Sequence, residues 1–288
     1  MESNWHEMNI QWFPGHIAKA RRDILLNIKN IDIVIEVLDA RAPLSTKSVF
    51  LSSLQKNKKH LLILNKSDLS DDKKNILYKN YFNKLGYYVV LLNSKSNNIS
   101  KIINKEILSI CSDLIEKRKN KGLKINSFKT IIVGMPNVGK STFINSYVKK
   151  NIVKVENHPG VTKKVQWVKI SKDLLLLDTP GITEPKFSNQ NIGFNLVLIG
   201  SLNEKNFVLD EIILYFVDFL KKNYIKNLKN RYNIDVDIND TPNQIIEKIG
   251  ISKNIISKNS TVAYNRVYNT ILIDFRSGKL GKITIDEI

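Results

Sequence analysis

Two nucleotide-binding strings occur in an unusual order: Asn65-Lys66-Ser67-Asp68 precedes Gly134-Met135-Pro136-Asn137-Val138-Gly139-Lys140-Ser141-Thr142. Where such a pair serves one nucleotide, the phosphate-cradling glycine loop ordinarily comes first and the base-reading strip follows. The reversal implies an α/β sheet whose strands are circularly permuted. Permutation costs little physically, because domain termini lie at the surface and often close together, so old ends can be joined and new ones opened while the core stays intact.

Five apolar runs carry the strands of that sheet. Residues 31–39 enter the turn Asp39-Ala40-Arg41-Ala42-Pro43, residues 60–64 enter the Asn-Lys-Ser-Asp strip, and residues 87–92 enter Asn93-Ser94-Lys95. Residues 130–133 enter the glycine loop, and residues 174–177 enter Asp178-Thr179-Pro180-Gly181. Short continuous apolar runs bounded by turn residues suit parallel strands buried on both faces, and the segments between them have room for helices. The expected fold is a doubly wound, mainly parallel sheet with its polar residues at the strand C-termini, where open α/β sheets bind ligands. After Pro185 the strand rhythm stops. Residues 192–201, 207–229 and 242–249 read as helices, and 262–275 as a helix or strand. Two domains are expected: a permuted nucleotide domain over 1–185 and a small helical domain over 186–288.

Composition narrows the class further. The single cysteine, Cys111, excludes an intramolecular disulfide framework and suits a reducing compartment. The most apolar helical stretch, 207–220, is interrupted by Asp210, Glu211 and Asp218, so no membrane span is expected. With Glu2 and Glu7 near the start and no basic apolar leader, the expectation is a cytoplasmic protein. The formal net charge of +18 points to a polyanionic partner such as nucleic acid. Residues 1–189 hold 32 basic and 16 acidic side chains, against 13 and 11 beyond, so the nucleotide domain carries most of the charge. The basic string 117–124 reads as a solvated linker between the base-reading and phosphate-reading halves, or as an RNA-contacting strip.

The glycine loop carries the most specific chemistry. Glycines allow a tight turn whose amides face phosphate, Lys140 supplies a fixed positive charge, and Ser141 offers a hydroxyl to Mg2+. The Asp68 carboxylate can accept hydrogen bonds from two guanine donors, and a site built on paired polar contacts rejects a base that leaves them unmatched. Asp178 supplies a carboxylate for the magnesium shell, the backbone amide of Gly181 can meet the terminal phosphate, and Thr162 is the candidate switch threonine for the same ion. Ile182 stands where many GTPases carry a water-orienting glutamine, and an aliphatic side chain cannot polarise water. His16 is the candidate replacement, although a histidine in a Pro-Gly turn is more often structural.

Gln11-Trp12-Phe13-Pro14-Gly15-His16, the Asp39-Ala40-Arg41 turn, the Asn65–Asp68 strip, the glycine loop, Pro159-Gly160-Val161-Thr162 and Asp178-Thr179-Pro180-Gly181 occur in that order. Together they closely resemble the ribosome biogenesis GTPase A family, strongly through Pro185 and more weakly beyond. The resemblance implies a GTPase that assembles the large ribosomal subunit at a late step: it binds the pre-subunit as the GTP form, hydrolyses GTP there to GDP, and leaves. It implies catalysis by His16 and Lys140, with nucleotide contacts at Asn65, Lys66, Ser67, Asp68, Asn93, Ser94, Asn137, Val138, Gly139, Lys140, Ser141, Thr142 and Gly181. Asn137 also resembles the loop asparagine of potassium-activated GTPases, which implies K+ beside Mg2+ as a cofactor. The expected partners are GTP, GDP and the large subunit with its rRNA, bound by a monomer. Two rival readings are a GTP-dependent RNA-binding placeholder without significant hydrolysis of its own, and an organellar ribosome-associated GTPase of the same fold.

Overall fold

The computed structural model describes residues 22, 24–26, 28–53, 58–122, 128–149, 166–169, 174–178, 189–257 and 260–288. Its chain order begins β1 (Ile33–Asp39), α1 (Val49–Ser53), β2 (Lys59–Asn65), α2 (Asp72–Lys84), β3 (Tyr88–Leu92), α3 (Ile99–Ile110) and α4 (Ser112–Asn120). It continues with β4 (Phe128–Gly134), α5 (Lys140–Val148), β5 (Gln166–Lys169) and β6 (Leu174–Asp178). The six strands form one sheet in the order β3-β2-β1-β4-β6-β5, parallel throughout except for the β5–β6 pair.

Each parallel strand expected from an apolar run is present, and burial explains why. Every residue of β1 is buried, as are six of the seven in β2. On one face Ile33, Ile35, Val37, Leu61 and Ile63 pack in the same cluster as Ile99, Ile103, Ile107 and Ile110 of α3 and Phe143 and Ile144 of α5. On the other, Leu38, Leu62 and Leu64 meet Tyr78 and Phe82 of α2, while Val34, Ile131 and Val133 meet Ile24, Ile31 and Leu51. Helices cover both faces, the doubly wound arrangement.

Strand order carries the permutation. The chain winds outward through β1, β2 and β3, then returns to lay β4 on the opposite side of β1. The β1/β4 boundary is thus the point where the winding direction reverses, the position at which open α/β sheets bind ligands. Registers of Asp39 with Asn65, Asn65 with Leu92, Val37 with Gly134 and Ile132 with Asp178 bring the polar strand ends to one edge.

Three sequence expectations need correction. The sixth strand, β5, was absent from the expected pattern. Residues 117–120 belong to α4 rather than to a linker. Their charges complement that helix's C-terminal end, and Arg118 pairs with Asp32 at 2.8 Å while lying 5.4 Å from the Phe128 ring centre. The stretch 207–229 is two helices rather than one.

The remaining helices are α6 (Gln190–Leu198), α7 (Leu209–Asn223), α8 (Ile225–Tyr232), α9 (Pro242–Ser252) and α10 (Tyr264–Arg276). Tyr224 breaks α7 from α8 at φ −139°, and its hydroxyl approaches Asp71 Oδ2 (3.4 Å) and Thr284 O (3.3 Å). Thr241 and Gln244 close a capping box at the start of α9, with Pro242 in its first turn. The helices bury Ile213, Phe216, Leu220, Ile246, Ile249, Ile271 and Phe275 in a core continuous with the α3 side of the sheet. The final residues then return to the sheet: Ile283 N–H donates to Leu69 O (3.1 Å) and Ile285 N–H to Arg41 O (2.7 Å). Among the described residues no helix is long and apolar enough to cross a membrane.

Candidate nucleotide site

The glycine loop leaves β4 at Gly134 and enters α5 at Lys140, so the sequence string is a strand–loop–helix unit. Asn137 (φ 59°) and Gly139 (φ 94°) take left-handed backbone conformations. At Gly139 the requirement for glycine is also steric. A Cβ there would come within 2.3 Å of Asn65 Nδ2, because the base-reading strip packs directly against the loop.

Asn65 makes that junction. Its Nδ2 donates to Val138 O (2.8 Å), and its Oδ1 accepts from Ser94 N–H (3.0 Å) and Ser94 Oγ (2.7 Å). At 2% exposure the side chain serves as a buried tie among three loops. Lys66 makes a second tie, its Nζ donating to Asn137 O (2.7 Å) and Asp39 Oδ2 (2.7 Å). Burial pulls the Lys66 ammonium below the usual lysine range, opposed by the Asp39 carboxylate.

Asp39 anchors the lysine. Arg41 Nε donates to Asp39 Oδ1 (2.9 Å) and Arg41 Nη2 to Asp39 Oδ2 (2.8 Å), a bidentate pair with both side chains buried. Burial raises the Asp39 carboxyl, but Arg41 and Lys66 outweigh it and hold the group well below the usual carboxylate range. Arg41 also lies 5.1 Å from the Phe275 ring centre in α10, so the ion pair joins the nucleotide edge to the C-terminal helices.

Asp68, by contrast, is exposed, and its carboxylate takes no hydrogen bond among the described residues. Ser67 is fixed through its N–H to Leu92 O (3.1 Å). Asn93 accepts from Lys95 N–H (2.9 Å) through Oδ1, shaping the turn that carries buried Ser94 beside Asn65. Lys140, Ser141 and Thr142 form the first turn of α5, with Lys140 buried. Asp178 ends β6, one strand over from the glycine loop. His16, Thr162, Gly181 and Ile182 lie outside the described residues. The structure therefore assembles Asn65, Lys66, Ser67, Asp68, Asn93, Ser94, Asn137, Val138, Gly139, Lys140, Ser141 and Thr142 at one edge. The sequence singles out the Asp39-Ala40-Arg41 turn without giving its ion pair a part in the site, and it carries no signal for the approach of Gly200 and Ser201 to the glycine loop.

Strand order, the paired loops and their shared edge define a circularly permuted P-loop GTPase. The family model described as 50S ribosome-binding GTPase matches residues 129–248. The "Ribosome biogenesis GTPase A" of Bacillus cereus is 38% identical over 282 residues, covering 97% of this chain and 94% of that protein. The chain belongs to the ribosome biogenesis GTPase A family. The "Probable ribosome biogenesis GTPase A" of Mycoplasma genitalium is 32% identical, covering 96% of each chain. In fold the chain is similar to the crystal structure of GNP-bound YlqF from T. maritima, with a TM-score of 0.63 at 23% identity over 93% of this chain and 98% of that one.

Proposed function

We propose that this GTPase acts at a late step of large ribosomal subunit maturation, docking on the pre-subunit with GTP and leaving after hydrolysis. The observation that carries the reading is the joining of base strip to phosphate loop by Asn65 and Lys66, in a chain that matches ribosome biogenesis GTPase A proteins along nearly its whole length. We take residues 1–185 as the G domain and 186–288 as the helical domain, in a cytoplasmic monomer.

In this reading Asp68 recognises guanine and the glycine-loop amides hold the phosphates. Water attacks the γ-phosphorus in line, His16 orients it, and Lys140 stabilises the charge that develops on the terminal phosphates. Among the described residues no group of three or more His, Cys, Asp or Glu side chains could hold a metal. Mg2+ is bound by a few protein oxygens together with substrate phosphates. Ser141, Thr162 and Asp178 would hold it, and Asn137 would hold K+ through its side-chain oxygen; when bound, the ions neutralise phosphate charge. The excess of basic residues over 1–189 supplies phosphate contacts to rRNA, with the helical domain contributing shape.

The test is GTP turnover and co-sedimentation with purified large and small subunits. The proposal requires stimulation by large subunits, binding in a non-hydrolysable GTP analogue, release in GDP, and a steep decline with salt. Nucleotide-dependent binding without stimulated turnover would instead favour a placeholder. Binding indifferent to nucleotide, or confined to small subunits, would overturn the assignment.

A further inference from the structure

Helix α6 ends in a turn that reaches the phosphate loop. Ser201 N–H donates to Leu196 O (2.8 Å) and Gly200 N–H to Val197 O (2.9 Å), with Gly200 at φ 79°. This is a Schellman closure, which needs a left-handed residue and favours glycine. The Gly200 carbonyl and the Ser201 hydroxyl both meet the loop: Asn137 Nδ2 donates to Gly200 O (2.7 Å), and Ser201 Oγ donates to Pro136 O (2.7 Å). The turn is braced from behind by Arg276 of α10, whose guanidinium donates to Leu198 O (3.1 Å), Val197 O (2.8 Å) and Glu204 (2.9 Å).

Three successive carbonyls of the glycine loop are thus held by side chains from two distant segments: Pro136 O by Ser201, and Asn137 O and Val138 O by the adjacent Lys66 and Asn65. A planar trans peptide carries its C=O and its N–H on opposite edges, so holding one aims the other. Clamping these carbonyls therefore fixes the N–H directions of Asn137, Val138 and Gly139, amides of the kind that cradle phosphate. Proline has no N–H of its own, which leaves its carbonyl as the backbone handle at position 136.

We infer that Ser201 is a positioning residue for nucleotide binding. Its hydroxyl sets the first clamped peptide of the phosphate loop and thereby makes the C-terminal helices part of the phosphate cradle. Linkage is reciprocal, so bound nucleotide in turn strengthens docking of α6 against the loop.

The test compares Ser201→Ala with Ser201→Thr, which keeps a hydroxyl, in the full-length protein. Fluorescent GDP and GTP analogues report Kd, and thermal unfolding is followed with and without saturating GDP. Ser201→Ala should weaken both nucleotides roughly fivefold, the equivalent of one hydrogen bond of about 1 kcal/mol. The KM for GTP should rise by the same factor and the GDP-induced gain in Tm should shrink. Ser201→Thr should recover affinity to within about twofold of the parent. Parent-like affinity in Ser201→Ala, even with a lower nucleotide-free Tm, would reduce Ser201 to a fold-stabilising role and overturn the inference; equal weakening in both variants would do the same. If the alanine variant does not fold, Ser201→Cys, with similar volume and a poor donor, replaces it and must show the same loss.

Discussion

Asn65 and Val138 stand 73 positions apart in the chain, yet a 2.8 Å hydrogen bond joins the side chain of one to the carbonyl of the other. The parallel register, which pairs β1 with both β2 and β4, makes these two strand ends neighbours despite their separation in the chain. Conserving the fold thus means conserving the junction between base strip and phosphate loop. Asn65→Ala would leave the buried Ser94 N–H and Val138 C=O without their present partner. We expect a loss of about 2–4 kcal/mol in stability and at least a tenfold loss of GDP affinity, followed by urea unfolding and nucleotide titration. Parent-like GDP affinity would detach Asn65 from the nucleotide site.

Asp68 sits exposed at the end of the same strip, in contrast to its buried neighbour Asn65. In the proposed reading a carboxylate there accepts from guanine donors, whereas an amide would present a donor to one of them. Asp68→Asn should weaken GTP and shift preference toward xanthosine triphosphate, whose base edge has an added carbonyl. Competition between the two triphosphates measures the shift, and an unchanged preference would take base reading away from Asp68.

His16 is the proposed water-orienting group because Ile182 cannot serve. His16→Ala should bind GTP nearly as the parent does while losing most ribosome-stimulated turnover, roughly the 10²–10⁴-fold that acid–base groups contribute. Full stimulated turnover in the variant would return His16 to a structural role.

Much of the nucleotide edge was legible because buried parallel strands read as uninterrupted apolar runs that stop at polar loops. Strand β5 was not, since four residues, Gln166-Trp167-Val168-Lys169, give no run to detect. The break at Tyr224 has no glycine or proline to announce it; the tyrosine hydroxyl meets Asp71 and Thr284, contacts that exist only after folding. The charges of residues 117–120 hid a helix, and the Gly200–Ser201 contribution depends wholly on tertiary approach.

Asn137 has two potential duties, since its amide nitrogen donates to Gly200 O while its oxygen is the atom a cation would use. If K+ is held there, exchanging KCl for NaCl at constant ionic strength should slow turnover of the parent. Asn137→Ala should erase the difference between the salts and, having lost the Gly200 contact, bind nucleotide more weakly in both. Equal parent rates in the two salts would leave Mg2+ as the sole metal.

The Asp39–Arg41–Lys66 cluster makes a pH prediction whose sign follows from its surroundings. Asp39 is held far below its ordinary value of 3.8, so on acidification the unfolded chain takes up this proton before the native state does. The stability it contributes is present above that ordinary value and is lost as pH falls toward the folded value. Glu36 has the same sign: burial raises it, but Lys47 and His60 outweigh burial and lower it. Asp286 has the opposite sign. It accepts from Leu44 N–H, Ser45 N–H, Ser45 Oγ and Asn195 Nδ2, yet burial pushes its carboxyl up, so its contribution is lost as pH rises through the folded value. Asp39→Asn should cost about 3–5 kcal/mol at pH 7, because it leaves Arg41 buried without its carboxylate. It should also flatten, without abolishing, the decline in stability below the ordinary value, since Glu36 remains. Urea midpoints at neutral pH and at steps through the acid range check both; an acid slope identical to the parent's would show that Asp39 is not depressed by this cluster.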